Sequence, residues 1–180
     1  ALITTFGDIF PGAVVVEAGV GSGALSLYLL RAIGAQGRLH SFERRQEFAE
    51  IAQANVRTSF GHHPENWTVT IGDLQERLAS VVESGSVDRV VLDMLAPWEC
   101  VEQVSQALAP GGLFIGYVAT VTQLSRLTEE LRGSGNFNEP EAFESMTRDW
   151  HLQGLAVRPE HRMIGHTGFI VIARRLAPGT

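Results

Sequence analysis

A glycine-rich turn near the start of the chain has the residue types of a cofactor-binding site. Three glycines stand at alternate positions, directly after a run of apolar residues that leads into Glu17. Glycine lets the backbone approach a ligand closely and adopt a positive φ, and the free amides at the start of the following helix attract polar or anionic groups. The stretch therefore predicts a turn around a nucleotide-like cofactor rather than a plain tight turn. The predicted cofactor contacts along it are Glu17, Gly19, Gly21, Ser22, Gly23, Ala24 and Leu25.

The glycines alone do not decide which cofactor is bound. Gly19, Gly21 and Ala24 also satisfy the G-x-G-x-x-G/A pattern of dinucleotide-binding proteins, and Glu43 lies near the position of the acid in that pattern. Glu17 favours a different ligand, because a buried carboxylate before the first glycine suits the cationic amino group of a methionine moiety better than it suits a pyrophosphate.

Two further acids follow predicted strands and are candidate contacts for a nucleoside. The residues after them, Arg44 and Leu74, are predicted cofactor contacts as well. Glu43, followed by Arg44, can accept hydrogen bonds from two ribose hydroxyls, or it can simply place negative charge before a helix. Asp73, followed by Leu74, can accept from an adenine amino group or cap the helix that begins there. An aspartate that caps a helix keeps spare lone pairs, so both roles of Asp73 are compatible.

The elements that must position these residues follow from the hydrophobic pattern. Five short strand-like runs alternate with segments of helical periodicity, and they lie at residues 13–17, 37–43, 67–72, 87–93 and 112–118. The alternation predicts an α/β fold with a parallel sheet covered by helices on both faces. A short helix over 1–10 precedes the sheet, and another over about 122–132 follows its fifth strand. Two long strands at 143–157 and 166–175, with no helix between them, should pair antiparallel.

Composition narrows the class of protein. The chain has 180 residues and a formal net charge of −6, which argues against a domain built mainly to coat nucleic acid. No apolar run reaches the roughly 18 residues that a membrane span requires, so we predict no membrane association. Cys100 is the only cysteine, which excludes an internal disulfide and a cysteine-based zinc site and fits a cytoplasmic protein without a metal. No linker or repeat divides the chain, so we predict one domain over residues 1–180.

Four short motifs carry a resemblance to a known family. They are the glycine turn at 17–23, the acid, proline and tryptophan of 93–98, the segment 117–123 that begins with Tyr117, and residues 165–167. With these motifs the chain resembles the class I S-adenosylmethionine-dependent methyltransferases, and more narrowly the tRNA adenine-58 N1-methyltransferases of the bacterial and archaeal type. The resemblance implies a Rossmann-like, seven-stranded, mostly parallel sheet with helices on both faces and a C-terminal antiparallel hairpin.

The same resemblance implies a function and partners. It implies methyl transfer from S-adenosylmethionine to N1 of adenine 58 in the T-loop of tRNA, with S-adenosylhomocysteine as the product. It implies a homo-oligomer, a tetramer in the family. It also implies a small β-rich N-terminal module, which these 180 residues lack.

Asp93 is the residue that we expect to carry the transfer step, and it is also a predicted cofactor contact. A carboxylate that accepts from the exocyclic N6 amino group of adenine both orients N1 and stabilises the positive charge that appears on the ring. Because N1 lies on the Watson–Crick edge, the base must be extruded into a pocket, and Trp98 and Tyr117 are its expected walls. The Tyr117 hydroxyl can also position the base, which makes it the second predicted catalytic residue. Core packing is the alternative role for Trp98.

Positive charge exceeds negative charge clearly only in the predicted C-terminal hairpin. We expect an RNA-facing patch there, since arginines and lysines that contact phosphates dominate nucleic-acid affinity. Solvated arginines without a ligand are the alternative. The residues of this basic set are Arg158, His161, Arg162, His166, Arg174 and Arg175, of which Arg158, Arg162 and His166 are the predicted substrate contacts.

Two other classes of function stay open on the sequence alone. One is a methyltransferase that acts on protein, such as an isoaspartyl carboxyl methyltransferase, or on a small molecule; the acidic net charge favours it. The other is a nicotinamide-dependent oxidoreductase or a binding domain that has the same fold without the chemistry.

Overall fold

The computed structural model describes residues 1–179 and contains helices and strands in alternation. The strands are β1 (Val14–Ala18), β2 (Arg38–Glu43), β3 (Trp67–Ile71), β4 (Val87–Asp93), β5 (Leu108–Val118), β6 (Glu141–Phe143), β7 (Trp150–Gln153), β8 (Ala156–Pro159) and β9 (Phe169–Arg174). The helices are α1 (Leu2–Phe6), α2 (Ala24–Ile33), α3 (Gln46–Phe60), α4 (Leu74–Val81), α5 (Val101–Ala107) and α6 (Val121–Ser134), with a 3₁₀ turn over Pro97–Cys100.

Seven of these strands form one sheet in the order β3-β2-β1-β4-β5-β9-β6. Strands β1 to β5 are parallel, and β9 runs antiparallel to both β5 and β6. This confirms the predicted fold, a mostly parallel sheet that finishes with antiparallel strands. The chain moves outward from β1 to β3 and then returns to β4 beside β1. A crevice opens at the carboxyl ends of the strands where the order reverses in this way, so this edge of the sheet is the place to look for a site.

Helices cover both faces of the sheet because the central strands are apolar on both sides. Val15 packs into one core with Leu29 of α2, whereas the next residue, Val16, packs into a second core with Leu78 of α4. Successive side chains of a strand point to opposite faces, so a strand that is buried on both faces must be apolar throughout. The two cores hold the carboxyl ends of β1 to β5 in fixed positions.

The prediction of one long strand over residues 143–157 was wrong. Of the strands β6, β7 and β8, only β6, at the edge of the main sheet, pairs with β9. Strands β7 and β8 instead pair with each other as a separate antiparallel hairpin, which turns at Gly154 with a φ of 54°. The polar run from Glu144 to Asp149 interrupts the apolar alternation, and the strand-like residues after it find a partner across the short turn rather than in the main sheet.

The two flanking helices differ in length from their predictions. α1 covers five residues rather than ten. It is followed by a turn that the buried Arg89 of β4 holds: its guanidinium donates to the carbonyl oxygens of Gly7 (2.8 Å) and Asp8 (3.1 Å) and pairs with the Asp8 carboxylate. α6 continues past Gly133 and ends at Gly135, which has a φ of 65°. None of the helices within residues 1–179 is both long and apolar enough to cross a membrane.

Candidate functional site

A cavity of about 740 Å³ lies at the carboxyl ends of the parallel strands. Its lining includes Gly19, Glu43, Asp73 and Asp93, which follow or end β1, β2, β3 and β4. The structure therefore brings together four residues that the sequence singled out, although the first and last are 74 positions apart. The strand order explains this convergence, because parallel strands carry their carboxyl ends to one edge.

The glycine turn passes directly against the loop that follows β4. Gly19 has a φ of 89°, and a Cβ built on it would lie 1.8 Å from the carbonyl oxygen of Asp93. No residue with a side chain fits there. At Gly21, with a φ of 54°, the same construction meets no atom within 4 Å, so the turn is open on that side. The remaining predicted contacts have local roles: the Ser22 carbonyl accepts from Asn55, and Leu25 packs against the core around α2.

The Glu43 carboxylate links the glycine turn to the start of α3 by hydrogen bonds. Its Oε2 accepts from the backbone amide of Gly21 (3.3 Å), and its Oε1 accepts from the amide of Arg45 (3.1 Å). The side chain is nearly buried but lines the cleft. Each carboxylate oxygen has a further lone pair, so Glu43 can also accept from ligand hydroxyls.

Asp73 precedes α4, but its carboxylate does not cap that helix. It pairs instead with Nε of Arg44 at 3.0 Å, across the mouth of the cleft. Both side chains are partly exposed, and such pairs contribute little to stability. Leu74, the first residue of α4, is buried against the core. The geometry leaves Asp73 available for a ligand contact, with Arg44 beside it.

Glu17 lies beneath the cleft rather than on its surface. Its side chain is fully buried, and its Oε2 accepts from Ser41 (2.6 Å) and Ser26 (2.7 Å). Burial raises the pKa of the Glu17 carboxyl to about 7; the two hydroxyl bonds lower it and the charge of Asp93 adds to the rise. The other oxygen, Oε1, has no hydrogen-bond partner among the described residues. A buried acceptor of this kind is costly unless a donor reaches it.

Asp93 ends β4 beside Tyr117 of β5, which is its partner in the strand register. Partial loss of water raises the pKa of the Asp93 carboxyl. Within residues 1–179 its side chain makes no hydrogen bond, so the carboxylate is free to accept from a ligand. The Tyr117 hydroxyl donates to the carbonyl oxygen of Thr167 (3.0 Å), and the Gly168 backbone lies against its ring. Tyr117 therefore connects β5 to the segment that precedes β9.

The structure places Trp98 among the packing contacts of the second core, which is the alternative role that the sequence left open. It packs against that core, and the guanidinium of Arg126 lies 4.5 Å from the centre of its ring. Trp98 is not part of the cleft lining.

The predicted basic set is divided between two sheets, the β7–β8 hairpin and the main sheet that contains β9. Arg158 lies on β8, and Arg162 follows that strand. Arg174 and Arg175 lie at the edge of the sheet opposite the cleft. Their guanidinium groups donate there to the carbonyl oxygens of Gly111 and Ser105. Because β9 runs antiparallel to β5, its last residues lie away from the cleft. An RNA-facing patch that includes Arg158 and Arg162 stays a prediction.

His166 is engaged on both ring nitrogens. Nδ1 lies 2.8 Å from a carboxylate oxygen of Glu144, and Nε2 lies 2.9 Å from the carbonyl oxygen of Ala119. Both partners are acceptors, so the hydrogen bond to Ala119 and the neighbouring carboxylate raise the pKa of His166. A contact between His166 and substrate stays a prediction.

Sequence reasoning missed Gln123, whose side chain bonds to both Leu95 and the turn before α6. A signal was present, because Thr120 and Gln123 have the spacing of a capping box. Within residues 1–179, no group of three or more His, Cys, Asp or Glu side chains is placed to hold a metal ion.

The fold and the cleft define a class, the class I methyltransferases, and solved structures of that class superpose on the chain. A Thermotoga maritima protein described as an S-adenosylmethionine-dependent O-methyltransferase matches with a TM-score of 0.89 and 30% identity, over 99% of this chain and 65% of that one. The tRNA (m1A58) methyltransferase TrmI of Aquifex aeolicus matches with a TM-score of 0.85 and 26% identity, over 97% of this chain and 67% of that one.

The chain belongs to the tRNA methyltransferase complex GCD14 subunit family, whose model matches residues 1–158. The tRNA (adenine(58)-N(1))-methyltransferase TrmI of Thermus thermophilus is 33% identical over 97% of this chain and 66% of its own length. The tRNA (adenine(57)-N(1)/adenine(58)-N(1))-methyltransferase TrmI of Methanocaldococcus jannaschii is 33% identical over 91% of this chain and 64% of its own length. The chain thus spans just under two thirds of the length of these relatives.

Proposed function

We propose that this chain transfers a methyl group from S-adenosylmethionine to N1 of adenine 58 in the T-loop of tRNA. The observation that carries the proposal is the single cleft that joins the glycine turn, Glu43 and Asp73 to Asp93. The first three suit a nucleoside cofactor, and the fourth suits the amino group of an acceptor base. Relatives that are 33% identical are named for this reaction and supply the choice of acceptor.

The residues of the cleft fit S-adenosylmethionine. Gly19 lets the backbone lie close to a ligand, Glu43 has lone pairs for the ribose hydroxyls, and Asp73 can accept from the adenine amino group. Glu17 is fully buried and lies outside the cleft lining, so its contact with the cationic amino group of the methionine moiety stays a prediction from the sequence. When bound, the cofactor supplies an electrophilic methyl group on a positively charged sulfur.

Asp93 acts on the acceptor base in this proposal. Adenine N1 has a free lone pair at neutral pH, so the reaction needs no general base, and the methylated ring becomes cationic. A carboxylate that accepts from N6 orients the base and stabilises that developing charge. Tyr117 is next to Asp93 in the sheet but outside the cleft lining, so its role as a wall of the base pocket stays a prediction. Most of the acceleration comes from the placement of two bound reactants.

Docking of tRNA is expected to use Arg158 and Arg162, in and after the β7–β8 hairpin. A net charge of −6 opposes a polyanion, so these few phosphate contacts should give weak and salt-dependent binding. The relatives are longer than this chain, and we infer that their additional length contributes to docking. The enzyme would work in the cytoplasm, where its tRNA substrate and its single reduced cysteine are expected.

The β7–β8 hairpin also supports self-association, with a tetramer as the proposed assembly. Trp150, Leu152 and Val157 share one face of the hairpin, and more than half of each side chain is exposed. An isolated two-stranded hairpin is marginal in water, and an exposed apolar face of this kind favours a protein contact. Sedimentation velocity should show an oligomer for the natural chain and a smaller species for Leu152→Glu; equal sedimentation contradicts the assignment.

Methylation of a tRNA transcript by the full chain tests the proposed reaction. Mass analysis of the nucleosides should show N1-methyladenosine, and a transcript with another base at position 58 should show none. An isoaspartyl peptide is the control for a protein methyltransferase. A thermal shift with S-adenosylhomocysteine but not with NAD is expected; a shift with NAD alone would point to an oxidoreductase.

A further inference from the structure

The side-chain amide of Gln123 joins two loops at the carboxyl edge of the sheet. Its Oε1 accepts from the backbone amides of Ala119 (3.2 Å) and Thr120 (3.1 Å), in the turn between β5 and α6. Its Nε2 donates to the carbonyl oxygen of Leu95 (3.0 Å), in the loop after β4. One side chain therefore connects backbone groups of two segments that are far apart in the chain.

These two loops directly follow the predicted catalytic residues. Leu95 lies two positions after Asp93, and Ala119 lies two positions after Tyr117. Asp93 and Tyr117 are register partners in the sheet, so the strands fix their backbones up to this point. Beyond it, the bond from Gln123 sets the separation of the loops. The Leu95 side chain is 81% exposed, so it has little packing of its own to hold the loop in place.

A third segment is attached to the same turn. The Ala119 carbonyl accepts from Nε2 of His166 (2.9 Å), while its amide donates to Gln123. The backbone of Ala119 is thus bonded to two side chains, its amide to Gln123 and its carbonyl oxygen to His166. Gln123 and His166 therefore link three segments: the loop after β4, the turn after β5 and the segment that precedes β9.

Helix capping alone does not account for Gln123. The cap of α6 uses only Oε1 of Gln123 and the Thr120 hydroxyl, which accepts from the Gln123 amide at 3.2 Å. The bond from Nε2 to Leu95 lies outside the cap and adds nothing to it. The two roles of the side chain are therefore separable by substitution.

We propose that Gln123 is a positioning residue for the acceptor base. Through Leu95 it holds the loop after Asp93 at the distance from the β5–α6 turn that the base pocket requires. The proposal rests on the proposed function, because it assigns the pocket beside Asp93 to the acceptor. Misplacement of a reactant by about 1 Å can cost on the order of a hundredfold in rate, so one such bond has a measurable effect.

Gln123→Glu separates the two roles. The remaining oxygen keeps both amides of the turn, and glutamate at this position of a capping box is as favourable as glutamine. The donor to Leu95 is lost, and a carboxylate oxygen then faces a carbonyl oxygen. In the full chain we expect an unchanged melting temperature, unchanged affinity for S-adenosylhomocysteine, and a fall of about tenfold or more in kcat at saturating tRNA. ¹⁵N order parameters of residues 94–96 should fall as well.

Gln106→Glu is the matched control. It adds the same charge at an exposed position of α5 and removes one surface hydrogen bond, to Glu102. We expect wild-type kcat and order parameters for it. If either kcat or the order parameters of residues 94–96 are unchanged in Gln123→Glu, the positioning role is overturned. If the natural chain methylates no tRNA adenine, the proposed function fails separately, and the order parameters alone decide whether Gln123 holds the loop.

Discussion

The carboxyl edge of the sheet has two halves that are built differently. In the half formed by β1, β2 and β3, the candidate cofactor groups Gly19, Glu43 and Asp73 stand within two residues of a strand end, and the strands place them. In the half formed by β4, β5 and the approach to β9, side-chain hydrogen bonds between distant segments place the loops. Gln123 reaches Leu95 and His166 reaches Ala119.

This difference indicates how each half responds to change. We call the half formed by β1, β2 and β3 the cofactor half, and the other the acceptor half. The cofactor half depends on backbone conformation and on the buried Glu17, Ser26 and Ser41 beneath it, so substitutions there should weaken cofactor binding. The acceptor half depends on a few partly exposed hydrogen bonds, so damage there should affect turnover while the cofactor still binds. Substitutions that change one half alone would test this division.

The largest effect is expected where the two halves touch. In Gly19→Ala the new Cβ would lie 1.8 Å from the carbonyl oxygen of Asp93, so the glycine turn and the loop after β4 must separate. We expect loss of both cofactor binding and methyl transfer, measured by calorimetric titration with S-adenosylhomocysteine and by tRNA methylation. Gly12→Ala is the control, since Gly12 also has a positive φ, of 91°, but no atom within 4 Å of a built Cβ. Equal behaviour of the two variants would show that the contact is unimportant.

Asp93→Ala should separate turnover from binding. We expect a fall of roughly a hundredfold in kcat, the scale for loss of one preorganised electrostatic partner, with cofactor affinity nearly intact. Glu99→Ala removes another acid from the cleft lining and should leave kcat unchanged. A parallel loss of affinity and turnover in Asp93→Ala would move Asp93 into the cofactor half.

Glu43→Ala should weaken cofactor binding and leave turnover nearly intact, the reverse of Asp93→Ala. Loss of charge-assisted hydrogen bonds to the ribose, together with loss of the bonds to Gly21 and Arg45, should weaken cofactor binding by about thirtyfold. Turnover at saturating cofactor should stay close to the wild-type value. Glu47→Ala, an exposed acid in the first turn of α3, is the control in the same titration. Unchanged affinity in Glu43→Ala contradicts ribose binding.

The smallest effect concerns His166 and pH. Its pKa in the folded chain is raised above 6.5 by the hydrogen bond to Ala119 and by Glu144. A group with a raised folded pKa stabilises the fold fully below its unfolded pKa, and this contribution is lost as pH rises through the folded value. NMR titration of the imidazole should give a pKa above 6.5, and Glu144→Gln should lower it. The melting temperature should fall slightly over the same interval of pH. No change on Glu144→Gln would show that the pair does not form.

The fold was predictable largely because its signals are local. The five parallel strands appear as short apolar runs, and the acids after them meet because parallel strands end at one edge. Residues 143–157 were mispredicted because strand propensity does not specify a partner: the same residues can pair with β9 or across the turn at Gly154.

The acceptor half was predictable only in part. Asp93 and Tyr117 were predicted from their positions in motifs, and their roles stay predictions. The bond between Gln123 and Leu95 depends on two loops whose approach no local pattern indicates. The role of Trp98 depends on whether its ring meets the core or a cavity, which its residue type does not reveal. The location of Arg174 and Arg175 depends on the direction of β9, and thus on which strand it joins.

The hydrogen bonds from Arg89 to Gly7 and Asp8 have a consequence for the order of folding. α1 has five residues, too few for a stable isolated helix, and the turn after it is held by Arg89, 82 residues after Gly7. A contact of this length forms slowly, because the intervening chain must first be ordered. We therefore expect α1 to dock only after β4 has entered the sheet. During synthesis, the apolar side chains of α1 would therefore stay exposed to solvent until β4 has been made.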